Sequence, residues 1–77
     1  MTHSEFTTLF EQTIDAAVGS VKPDEALADI VEWDSVSVLT FIAMADEKFG
    51  QQISGRDIAA CTTVTDLAML FGDKISG

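Results

Sequence analysis

Ser35 is the residue best placed to carry chemistry in this chain. It follows Asp34 at the start of the longest apolar helical segment, just after a long acidic stretch. A serine there is by default a helix cap, its oxygen accepting a backbone N–H. The position also suits a second use. A phosphate joined to its oxygen lies beside free backbone N–H groups and the positive end of the helix dipole, so a helix N-terminus is a natural seat for a phosphodiester. Ser37 is the competing hydroxyl, but it lies further into the helix, where backbone donors are increasingly occupied.

Other chemistry is harder to assemble. The single histidine, His3, sits in a terminus expected to fray, which leaves a Ser-His-Asp arrangement without its base. The carboxylate pairs Asp24-Glu25, Asp29-Glu32 and Asp46-Glu47 read as solvated surface, because so short a chain offers no obvious cleft in which to dry them. Neither the Asp24 to Asp34 stretch nor the Asp66 to Asp73 stretch has the central glycine and alternating oxygen ligands of a calcium loop. One cysteine, Cys61, allows neither an internal disulfide nor a site of several thiolates. With no basic neighbour to lower its pKa, it reads as a small core filler. No catalytic residue and no metal ligand is assigned.

The elements that must position Ser35 follow from hydrophobic spacing. Ser4 is expected to cap a first helix in which Phe6, Leu9, Phe10, Thr13 and Ala17 face a core, with Gly19-Ser20 ending it. Val21 to Trp33 holds the only proline and four acidic residues. It reads as a long ordered loop pinned by Leu27, Ile30 and Val31, with Trp33 as a packing anchor. The second helix begins near Asp34-Ser35 and stops at Phe49-Gly50. Val38, Phe41, Ile42, Ala45 and Phe49 share its inner arc, and Val36, Thr40, Ala43 and Glu47 its outer one. Ile53 is expected to be buried and Arg56 to Ala60 to form a short helix. Thr62 or Thr63 then caps a last helix with Val64, Leu67, Ala68, Phe71 and Ile75 on one face. Three longer helices, one short helix and a long ordered loop between the first two make an all-α, small four-helix bundle, a single domain over residues 1–77.

Composition narrows the function classes. The 77 residues carry 13 acidic and 4 basic side chains, a net charge of −9, yet 47% are hydrophobic and the mean hydropathy is positive. That apolar fraction excludes a disordered acidic tail. The charge argues against binding nucleic acid or an anionic membrane surface and favours basic protein partners. The longest mostly apolar stretch, Val36 to Ala45, is about half the length that spans a bilayer, and the N-terminus does not read as a signal peptide. The expectation is a soluble, cytoplasmic monomer.

At these residues the sequence resembles the acyl carrier protein family. The likeness runs from Trp33-Asp34-Ser35-Val36 through Phe41-Ile42-Ala43 to Asp46-Glu47-Lys48-Phe49-Gly50, then Ile53, and ends at Thr62-Thr63-Val64-Thr65-Asp66-Leu67. The family pattern is Asp-Ser-Leu, a helix closing on an acidic-Phe-Gly end, an isoleucine, a short helix and Thr-Val-x-Asp-Leu. The resemblance implies that Ser35 receives 4′-phosphopantetheine from coenzyme A through a separate phosphopantetheinyl transferase, with Asp34 supporting the modification. The thiol of that arm would hold acyl groups as thioesters. Val36, Leu39, Ala43 and Glu47 match positions read by partners, which would be acyl-loading and acyl-transfer enzymes with basic docking patches.

The chain departs from the pattern in three places. Val36 replaces leucine, and Ser37 and Thr40 stand where bacterial fatty-acid carriers commonly have acidic residues. A dedicated carrier for a specialised pathway fits these changes better than general fatty acid synthesis. Two other readings stay open at the level of sequence: an aminoacyl or peptidyl carrier, and an acidic binding or inhibitor protein that needs no modification.

Overall fold

The computed structural model describes residues 1–76, which form four α-helices: α1 (His3–Thr13), α2 (Ser35–Phe49), α3 (Gly55–Ala59) and α4 (Val64–Met69). Short 3₁₀ turns lie at Leu27–Asp29 and Gly72–Lys74. The second of these extends the path of α4, so that Phe71 and Ile75 remain buried after the regular helix has ended. The four-helix bundle expected from the sequence is present, but α4 has only six residues and is nearly as short as α3 with five, so two helices rather than three are long.

α1 starts two residues earlier than the sequence reading placed it. Thr2, not Ser4, is the cap: its hydroxyl accepts the Glu5 N–H at 3.1 Å, and the Glu5 carboxylate accepts the Thr2 N–H at 2.8 Å. The reciprocal pair satisfies two N–H groups that a helix start leaves free. The terminus does not fray, because the Met1 ammonium donates to the Lys74 carbonyl and the Ser76 N–H to the Met1 carbonyl, at 3.3 and 2.9 Å. His3 is accordingly the half-buried first residue of α1.

The end of α1 also differs from expectation. The chain leaves the helix through Asp15 at φ 60°, with the Asp15 N–H donating to the Gln12 carbonyl and the Ala16 N–H to the Glu11 carbonyl. This is the closing pattern usually made by glycine. Aspartate, which tolerates left-handed backbone better than most residues, takes its place. The helix therefore ends well before Gly19, and Ala17 is exposed rather than core-facing. The buried stripe is Phe6, Thr7, Phe10, Glu11 and Ile14, with Leu9 and Thr13 half-buried.

The long loop is ordered by hydrogen bonds to the start of α4. Leu27 N–H donates to the Thr62 carbonyl at 2.9 Å, Val64 N–H to Glu25, and both the N–H and the hydroxyl of Thr65 to Pro23. Val21, Leu27 and Ile30 are buried beneath it. Val31 was expected to pin the loop as well, but it is 92% exposed. Inside the bundle, Phe6, Phe10, Phe41, Phe71, Phe49 and Trp33 form one connected set of rings, with neighbouring centroids 4.6 to 6.2 Å apart. Trp33 packs on Phe10 and Phe41, so the residue two before Ser35 is anchored in the core.

Candidate functional site

Asp34 fixes the geometry of the site. Its carboxylate accepts the Ser37 N–H at 2.9 Å and so caps the 15-residue α2, the longest helix of the fold. That bond holds the Asp34 carboxyl below the usual carboxylate range, with the Val36 N–H and its own N–H adding to the effect. Because Asp34 caps the helix, the Ser35 hydroxyl is not needed for capping. Ser35 is exposed at the first helical position.

Ser37 is committed elsewhere. Its hydroxyl donates to the Glu32 carbonyl, its N–H donates to Asp34, and the residue is half-buried. The two serines lie two residues apart, yet only Ser35 has a hydroxyl both exposed and free of a structural role in the cap. For a phosphodiester the surroundings fit: the first turn of a long helix supplies the positive end of its dipole, and no packing covers the oxygen. The adjacent Asp34 carboxylate is an opposing charge.

The outer face of α2 continues from this point. Val36 and Leu39 are 69% and 68% exposed, although both are apolar. Ala43 and Glu47 are exposed further along the helix, and Thr40 lies among them. All six residues singled out in the sequence therefore lie on one helix or its cap. Val31 adds an exposed apolar side chain to the segment leading into Ser35. The sequence did not reveal this, since an apolar loop residue reads equally well as an anchor.

Cys61 packs half-buried against the core, its thiol donating to the Asp57 carbonyl at 3.4 Å. Burial pushes that thiol up, and the carboxylates of Asp66 and Asp57 push it further, the reverse of what a reactive cysteine needs. Among the described residues, no group of three or more His, Cys, Asp or Glu side chains is arranged to hold a metal. Among them, too, no helix is long and apolar enough to cross a membrane.

The pattern of the family described as "Phosphopantetheine attachment site" matches residues 4–71, which include Ser35 and all four helices but for the first residue of α1. The chain belongs to the acyl carrier protein family. It is similar to proteins named "Acyl carrier protein" in three bacteria: 38% identical over 48 residues to that of Tropheryma whipplei (strain Twist), and 33% identical over 46 residues to those of Myxococcus xanthus and Micrococcus luteus. These matches take in 62%, 60% and 60% of this chain, and 58%, 58% and 57% of the respective relatives. The chain thus spans rather less than two thirds of the curated acyl carrier proteins it matches. No solved structure matches it. The prosthetic group of an acyl carrier protein site is 4′-phosphopantetheine.

Proposed function

We propose that this chain carries acyl intermediates, with Ser35 as the attachment point of 4′-phosphopantetheine and Asp34 supporting the modification. The observation that carries the reading is the division of labour between neighbouring residues. Asp34 caps α2 and Ser37 ties the helix to the loop, while Ser35 stays exposed between them. When attached, the arm supplies a terminal thiol that holds the cargo as a thioester.

The protein's own part is presentation rather than catalysis. The anchored Trp33 and the capped helix hold Ser35 at a fixed point on the surface. Cargo tethered there meets each partner at an effective concentration of order mM, the range for a short flexible linker. Val36, Leu39 and Ala43 offer partner enzymes a small apolar contact, and Glu47 adds charge. Phosphopantetheinyl transferase and acyl-handling enzymes with basic patches are the partners this surface suits. Such contacts should be small and transient, because a carrier must leave as readily as it arrives. Ser37 and Thr40 leave the outer face less acidic than the helix of a fatty-acid carrier, which favours a specialised pathway. A cytoplasmic setting accords with the single free thiol, Cys61.

The test is incubation with coenzyme A, magnesium and a broad-specificity transferase, followed by intact-mass measurement. One phosphopantetheinyl mass is expected on the parent and on Ser37→Ala, and none on Ser35→Ala. Addition that survives Ser35→Ala, or no addition with several transferases, overturns the assignment.

A further inference from the structure

A groove of about 290 Å³ opens on a different part of the molecule, between α1 and the loop that follows it. α1 contributes Thr7, Thr8 and Glu11 to it, and the loop contributes Val18 and Val21; it shares no residue with α2 or the Ser35 segment. Glu11 is only 2% exposed and is among the largest fully buried side chains of the fold. One of its oxygens, Oε2, accepts the Val21 N–H at 2.9 Å. No fully buried side-chain oxygen is left without a partner among the described residues. Oε1 receives no such bond and keeps a small access to solvent, and Glu11 lines the groove, so Oε1 is the carboxylate oxygen left for a ligand.

The groove offers acceptors and no cation. The Thr7 and Thr8 hydroxyls spend their protons on the carbonyls of His3 and Ser4, so toward a ligand they present lone pairs. No lysine, arginine or histidine lines it. A carboxylate withdrawn from water without a counter-charge is costly, and a charged donor at Oε1 relieves that cost. Val18, which is 77% exposed, and buried Val21 make the walls apolar. That combination suits a charged head on an aliphatic stem. A bare divalent cation needs several oxygen ligands, and here there is one carboxylate.

We infer that this groove receives a basic side chain, a guanidinium or ammonium head, of a partner protein, with Glu11 as its counter-ion. The site is a second point of contact, separate from the face around Ser35. It adds orientation to encounters that the net charge alone would only attract. Its occupation requires no arm on Ser35, so the proposal and the carrier reading stand or fall separately.

The experiment is an NMR titration of the unmodified ¹⁵N-labelled protein near neutral pH with N-acetyl-arginine amide, using N-acetyl-citrulline amide as the neutral isostere. Arginine amide is expected to give saturable shifts at the Thr7–Glu11 and Val18–Val21 amides, with citrulline amide binding about tenfold more weakly. Glu11→Gln keeps an oxygen for the Val21 N–H and should lose the preference for arginine. Equal responses to the two probes in the parent overturn the proposal without any variant. So do shifts that never saturate and fall equally on every acidic surface, or an arginine preference that persists in Glu11→Gln.

Discussion

Hydrogen bonds from backbone N–H groups set the behaviour of individual carboxyls in this chain more than ion pairs do. Asp34 is held below the usual range by the Ser37 N–H, Asp66 by those of Thr62 and Thr63, and Glu5 by that of Thr2. In each case the folded chain keeps the carboxylate ionised to lower pH than the unfolded chain does. The caps therefore contribute fully above the ordinary carboxylate range, about 4, and their contribution is lost as pH falls through the folded values. With a net charge of −9, mild acidification also relieves repulsion across the whole molecule, so the raw pH profile mixes two effects. The difference between parent and variant separates them. Asp66→Asn should lower Tm near neutral pH, and the gap should close as pH falls below about 4, read by circular dichroism melts. A gap that stays constant down to pH about 2.5 contradicts this account of the cap.

At the scale of the element, α2 has two faces with opposite tasks. Phe41 on the inner face is 0% exposed and meets four rings, Phe6, Phe10, Trp33 and Phe71, at centroid distances of 5.9 to 6.2 Å. Truncating such a side chain costs about 3–5 kcal/mol, against a total of roughly 4–12 kcal/mol for a chain of this size. Phe41→Ala should therefore lose a large share of the fold's stability and melt at a markedly lower temperature. Leu39→Ala, two residues away and mostly exposed, should leave the melting curve nearly unchanged while slowing modification of Ser35. If Leu39→Ala melts like Phe41→Ala, the outer face is structural and not a docking surface. This two-faced helix was legible in the sequence because its cap, its inner spacing and its glycine stop all agree. α1 was less so. Thr2-x-x-Glu5 is a capping box that Ser4 obscured, and the closing turn at Asp15 uses a residue that gives little warning. The burial of Glu11 could not be read at all, since its partner is a backbone N–H ten residues on. Ser35 could be preferred to Ser37 from its position, but the Ser37–Glu32 bond that engages the competing hydroxyl could not be read from the sequence.

For the molecule as a whole, charge and size act together. The chain measures 26 × 26 × 20 Å, and its net charge of −9 is spread over that small body. At 0.01 M ionic strength the screening length is about 30 Å, longer than the protein, and a partner meets the summed charge. At 1 M it is about 3 Å, and only side chains in contact are felt. Attraction to a basic transferase should therefore weaken steeply with salt, whereas the packed core, which holds the aromatic rings, should be little affected. The expected outcome is a fall in kcat/KM for modification of Ser35 as sodium chloride rises, carried by KM, with kcat changing much less. The Ser37→Ala protein should follow the same curve, because the steering charge does not reside on that residue. A flat salt profile would place recognition in the apolar contacts of Val36 and Leu39 alone. In that case the acidic composition would serve solubility rather than encounter.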